Sequence, residues 1–155
     1  VWKDIIDVNL TGVWNTVETV LPTMKAAGNG GSIVITSSSA GLKGTATEHP
    51  GGAAYTAAKR GLVGLMQVLA LELAPHSIRV NTIHPTGVLT GMIMNEAMMA
   101  MVESGDPALS AMQNALPIEA LNPEDIANAV AYLVSGQAYF ITGTQWALDA
   151  GFVLR

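Results

Sequence analysis

Three short apolar runs, each preceded by a stretch of helical periodicity, limit what this chain can fold into more than any other feature. Residues 32–36 (SIVIT) are rich in β-branched side chains and too short for a helix. Residues 78–83 (IRVNTI) and 144–148 (TQWAL) are the other two. Apolar strands of this kind belong to parallel sheets covered on both faces. Residues 2–27 predict a long helix, with Trp2, Ile5, Ile6, Asn9, Val13, Val17, Val20, Leu21 and Met24 recurring at three- and four-residue spacing. Gly28-Asn29-Gly30-Gly31 stops it. Residues 53–74 predict a second long helix, ended by Pro75. Asn122-Pro123-Glu124-Asp125 starts a third, running to about Ser135, with a cap, a first-turn proline and two acids facing the helix dipole. Residues 37–41 and 45–52 read as loops, and His84-Pro85-Thr86-Gly87 as a break after the second strand. Helices alternating with strands predict an α/β fold with a parallel sheet. The first strand would leave an apolar edge unless another strand paired with it.

Composition narrows the function. The 155 residues carry a net charge of −5, and their seven Lys and Arg are scattered. No basic stripe exists to neutralise phosphates, so nucleic-acid binding is not expected. No polybasic patch or spanning apolar run points to a membrane. Without cysteine, disulfides and thiolate metal sites are excluded. His49, His76 and His84 show no metal-ligand spacing. No signal peptide is visible, which makes the cytoplasm the default location. Half the residues are hydrophobic and only 12% are charged, so much surface is expected to be covered by an oligomeric partner or a further segment.

Tyr55 and Lys59 carry the chemistry. Four residues apart on a helix, they share one face, and a fixed ammonium favours the phenolate. A free phenol near ~10 is too weak an acid for proton transfer at neutral pH, and a neighbouring cation corrects that. The pair alone fits a surface lysine beside a half-buried tyrosine better, since so short a motif recurs by chance. The cluster Ser37-Ser38-Ser39 directly follows a buried strand, where ligand sites in open α/β sheets lie. A serine there can donate to a substrate oxygen as charge develops, or it can satisfy its own turn.

Taken in order, strand–Ser-Ser-Ser-Ala-Gly, Tyr-x-x-x-Lys on a long helix and Arg-Val-Asn-x-Ile-x-Pro resemble the short-chain dehydrogenase/reductase family over essentially the whole chain. Asp7-Val8-Asn9-Leu10-Thr11-Gly12, Ile141-Thr142-Gly143 and Leu148-Asp149-Ala150-Gly151 fit further family signatures. The resemblance implies a Rossmann-type doubly wound parallel sheet, of which residues 1–155 would be a single partial domain, the C-terminal, catalytic half. It implies hydride transfer between NAD or NADP and a small apolar alcohol or ketone. Tyr55 would be the general acid/base. Lys59 would bind the ribose hydroxyls and lower the tyrosine's pKa, Ser38 would orient the substrate oxygen, and Asn9 would hold a relay water. Pro85, Val88 and Thr90 would flank the nicotinamide, Val88 through its backbone. A homo-oligomer, dimer or tetramer, is also implied, with residues 2–27 and 53–74 at its main interface.

The sequence departs from the family in places. Sixteen residues separate Ser38 from Tyr55 where about twelve are usual, which predicts a longer loop over residues 45–52. Thr86 stands where the family has Gly, and Ala150 replaces another Gly. The His-Pro-Thr-Gly run and the long loop resemble the actinobacterial carveol-dehydrogenase-like branch, often linked to mycofactocin. Residues 91–116 read as loosely helical, and their methionines (Met92, Met94, Met98, Met99, Met101 and Met112) are expected to form a mobile lid over an apolar substrate. No Gly-x-x-x-Gly-x-Gly turn and no Asn-Asn-Ala-Gly segment occurs, so the phosphate-binding N-terminal half is expected to be absent from these residues. A second reading follows from that: a non-catalytic remnant or association module that binds no cofactor.

Overall fold

The computed structural model describes residues 1–44, 51–104 and 112–155. Helix α1 (Trp2–Ile6) passes through a π-helical turn (Asp7–Thr11) into α2 (Gly12–Ala27) without leaving helical geometry. Gly28, at φ 66°, closes α2 in the left-handed region, where glycine carries no steric penalty. Strand β1 (Gly31–Thr36), helix α3 (Gly52–Leu73) and strand β2 (Ile78–Pro85) follow. Helices α4 (Glu96–Ser104) and α5 (Pro123–Val134) precede strand β3 (Gln145–Leu148). The strands form one parallel sheet in the order β1-β2-β3. Among the described residues no helix is long and apolar enough to cross a membrane.

Alternation along the strands sorts the helices to the two faces. Ile35 of β1 and Ile78 and Val80 of β2 join Leu62, Met66, Leu69 and Leu73 of α3 and Val17 of α2 in one buried cluster. The opposite face receives α5: the Ser32 hydroxyl donates to the Leu133 carbonyl at 3.1 Å. There Asn81, wholly buried, donates to the Ile141 carbonyl and accepts from the Thr144 backbone and hydroxyl. That one amide ties β2 to the segment entering β3 (2.7–3.1 Å). α5 starts with a capping box between Asn122 and Asp125, as its sequence predicts.

Two expectations change. The second strand does not break at His84 but continues through Pro85, which is paired with Leu148. The Thr86 N–H, not that of Pro85, reaches the Leu148 carbonyl. The nitrogen of Pro85 faces the other side, where β1 has already ended, so its missing hydrogen costs no ladder bond. The Met-rich segment is not one loose helix: it is turns through residue 95 and then α4. Most of the predicted long loop, with His49, lies outside the described residues, as do residues 105–111 and the side chains of Met98 and Met101.

The turn after β3 is held by Asp149, which accepts from the Gly151 and Val153 N–H groups at 3.0 and 2.9 Å. Within it Ala150 sits at φ 49°. A Cβ in that region costs about 1–2 kcal/mol, partly offset in any exchange by glycine's greater chain entropy. Ala150→Gly is therefore expected to raise unfolding stability by about 0.5–1 kcal/mol, read from a denaturant melt.

Candidate active site

The carboxyl ends of β1 and β2 bring together most of the residues singled out in the sequence. The first turns of α3 reach this end of the sheet, with Tyr55 and Lys59 half-buried on one face of the helix. The Lys59 ammonium lies 5.5 Å from the centre of the Tyr55 ring. Its Nζ donates to the Thr36 carbonyl, the last of β1, at 3.2 Å. An ammonium has three donors, so two remain for a ligand. Burial pushes the Lys59 ammonium below the ordinary lysine value.

Ser38 follows β1 in extended backbone and caps a short 3-10 turn (Ser39–Gly41), accepting from the Ala40 N–H at 3.2 Å. That bond uses the hydroxyl oxygen as acceptor and leaves its hydrogen to donate elsewhere. The turn is fastened to α3 by the Ser37 hydroxyl, buried and donating to the Lys59 carbonyl at 2.8 Å, and by Arg60, which reaches the Leu42 carbonyl at 3.0 Å. Gly41 makes this approach possible: a Cβ there would stand 2.5 Å from Ser37 Oγ and 2.8 Å from the Lys59 carbonyl oxygen.

Asn9 occupies the π-helical turn. A π-turn shifts backbone pairing one residue further along, and such turns gather at functional sites. The Asn9 side chain donates to the Ile5 carbonyl at 3.1 Å. Leu10, from the same turn, packs on α3 so closely that a Cβ at Gly61 would meet it at 3.1 Å. The π-turn thus lies against α3, yet no hydrogen bond among the described residues joins Asn9 to Lys59, Tyr55 or Ser38. Periodicity alone cannot distinguish a π-turn from the α-helix around it.

Beyond β2 the backbone at Val88 pairs in parallel with Leu121. Leu121 bonds to the residues on either side, Leu89 N–H and Gly87 C=O, both at 2.9 Å. In parallel pairing this turns the N–H and C=O of Val88 itself away from Leu121. Thr90 donates to the Val88 carbonyl at 3.3 Å. Pro85 precedes this segment at the end of β2.

His84 is wholly buried. Its Nδ1 is 2.8 Å from the Ser38 carbonyl and its Nε2 is 2.8 Å from the Thr82 hydroxyl. Burial pushes its pKa down; the Ser38 bond opposes this, and the charges of Arg60 and Lys59 add to it. The unfolded chain therefore takes up this proton at a higher pH than the folded protein does. Its contribution to stability is complete above the free-histidine value near ~6.5. That contribution is expected to fall as pH drops below that value, until the folded site is protonated too. Denaturant midpoints across that range check this: His84→Gln should flatten the slope.

His76 is exposed in the turn after α3, away from this cluster. Among the described residues no group of three His, Asp or Glu could hold a metal ion.

Comparison with known proteins places the chain in a family. A family model described as enoyl-(acyl carrier protein) reductase matches residues 1–153. An uncharacterised oxidoreductase of Mycobacterium tuberculosis is 52% identical over 153 residues, covering 98% of this chain and 56% of its own length. The (−)-trans-carveol dehydrogenase of Rhodococcus erythropolis is 47% identical over 163 residues, covering 99% and 57%. The crystal structure of carveol dehydrogenase from Mycobacterium avium in complex with NAD superposes with a TM-score of 0.90 at 42% identity, covering 100% of this chain and 57% of that one. The chain belongs to the short-chain dehydrogenase/reductase family, and its parallel sheet is of the Rossmann type. It spans little more than half the length of these relatives.

Proposed function

We propose that the protein containing this chain transfers a hydride between NAD or NADP and a small apolar alcohol or ketone, with Tyr55 as the proton partner. The observation that carries this reading is the Lys59 ammonium, 5.5 Å over the Tyr55 ring and anchored to the last carbonyl of β1. It holds a positive charge beside a phenol where open α/β sheets bind ligands. When bound, the nicotinamide accepts or returns the hydride. The residues present suit that group. The free donors of Lys59 match a ribose diol, and the outward-turned N–H and C=O of Val88, with Thr90 and Pro85 alongside, match a carboxamide.

In the oxidation direction the alcohol oxygen is held between the Tyr55 and Ser38 hydroxyl groups. Its proton passes to the Tyr55 phenolate as the hydride leaves the adjacent carbon, and the product is the ketone. Reduction reverses both transfers, with Tyr55 donating the proton. Ser38 donates to the oxygen as charge develops on it. Lys59 stabilises the phenolate, and the Asn9 amide oxygen holds a water through which the proton reaches solvent.

The apolar substrate is supported by the exposed Met92, Met94 and Met99 around the start of α4, flexible side chains suited to irregular apolar ligands. Carveol, the alcohol named for two relatives, is the first compound to try. Exposed Val8, Trp14, Val20, Val68 and Leu71 on α2, α3 and the π-turn support association with a second copy. The competing reading, an association module without cofactor binding, predicts neither nucleotide binding nor turnover. The test is to incubate the polypeptide encoded by the whole gene with NAD or NADP and a panel of secondary alcohols, following reduced nicotinamide by absorbance. Turnover with at least one alcohol supports the proposal. Absence of both turnover and nucleotide binding supports the module.

A further inference from the structure

We propose that His84 is a positioning residue for Ser38: its neutral ring ties the Ser38 carbonyl to β2 and so aims the Ser38 hydroxyl into the site. This rests on the role given to Ser38 above. A carbonyl only accepts, so the 2.8 Å contact requires a hydrogen on Nδ1. With the ring neutral, Nε2 accepts from the Thr82 hydroxyl at 2.8 Å, a much shorter contact than the 3.5 Å from that hydroxyl to the Thr144 carbonyl. Both ring nitrogens are engaged and the ring is wholly buried, so His84 has no path to a substrate and cannot itself be the acid or base. What it holds is the peptide next to the substrate-orienting hydroxyl.

The Ser38 carbonyl accepts a second bond, from the Gly41 N–H at 2.8 Å. That bond only closes the turn on itself. The backbone is pinned to β2 one residue earlier by the Ser37 N–H, which donates to the Ile83 carbonyl at 2.8 Å; among the described residues the bond from His84 ties the Ser38 carbonyl itself to the sheet. Since β2 also runs on into the Val88 segment, a single strand sets both the serine and the backbone proposed to meet the nicotinamide.

Two amide variants separate the two ring nitrogens. His84→Asn puts a carboxamide nitrogen near the place of Nδ1 and can keep the Ser38 bond. His84→Gln reaches the place of Nε2, keeping Thr82 and losing Ser38. In the polypeptide encoded by the whole gene, His84→Gln is expected to lower kcat about tenfold, the worth of one hydrogen bond, with nucleotide affinity unchanged. His84→Asn should stay within about threefold of the parent protein on the same scale. In a Ser38→Ala background the His84→Gln loss should disappear, because contacting residues that act through one group are not additive. Equal losses in the Asn and Gln variants, or a His84→Gln loss that persists in full without the Ser38 hydroxyl, would overturn the inference while leaving the site reading intact. If Ser38→Ala alone leaves turnover unchanged, the reading of Ser38 fails and the inference with it.

Discussion

Tyr55→Phe is expected to reduce turnover by about 10²–10⁴, the usual worth of a positioned proton-transfer group. The variant loses only the hydroxyl. The ring stays under the Lys59 ammonium, which keeps its bond to the Thr36 carbonyl. Stability should therefore change by no more than about 0.5 kcal/mol, and nucleotide affinity should be preserved, because Lys59 still offers its free donors. Steady-state rates with the best alcohol, together with a denaturant melt, check both halves. Loss of activity with loss of fold would say nothing about chemistry; loss without it identifies the hydroxyl.

Gly41→Ala is expected to damage fold and site together. The new methyl would stand 2.5 Å from Ser37 Oγ, 2.8 Å from the Lys59 oxygen and 3.1 Å from its carbon. Two of those atoms are helix backbone, which cannot rotate away. The turn must lift off α3, and the 2.8 Å bond from Ser37 to Lys59 breaks. Overpacking costs about 1–3 kcal/mol, and a buried hydroxyl left without a partner costs about 1–3 more. Ser38 moves with the turn, and a 1 Å misplacement of a positioning group can lower turnover about 10²-fold. Gly44→Ala is the control. A Cβ there meets nothing within 4 Å among the described residues, and its effect should stay within about 0.5 kcal/mol. Equal effects at Gly41 and Gly44 would contradict the packing described for the serine turn.

Much of the fold is legible from apolar spacing. The α/β alternation, the ends of α2 and α3, and the start of α5 all follow from periodicity and from Gly, Pro and Asn at the boundaries. Pro85 misleads because a proline reads as a strand breaker, yet here it sits where the neighbouring strand has already stopped. The π-turn at Asn9 leaves no trace in apolar spacing, since five helical residues fit either pitch. In the site, Tyr55 and Lys59 are legible because four-residue spacing on a helix is a local fact. The His84–Ser38 bond is not, since it joins residues 46 apart through a register that only the folded sheet sets. The same holds for Ser37 and Lys59, 22 residues apart. Gly41 could be suspected from its place after the serines, but not the helix carbonyl that requires it.

The most direct test of the account follows the hydride itself. The polypeptide encoded by the whole gene is incubated with oxidised nicotinamide cofactor and an alcohol deuterated at the carbinol carbon, starting with carveol, and the reduced cofactor is examined by NMR. The account predicts deuterium at C4 of the nicotinamide, delivered to one face, with the ketone formed in equal amount and no transfer by Tyr55→Phe. Ketone formed without deuterium on the cofactor, or undiminished transfer by Tyr55→Phe, would contradict it.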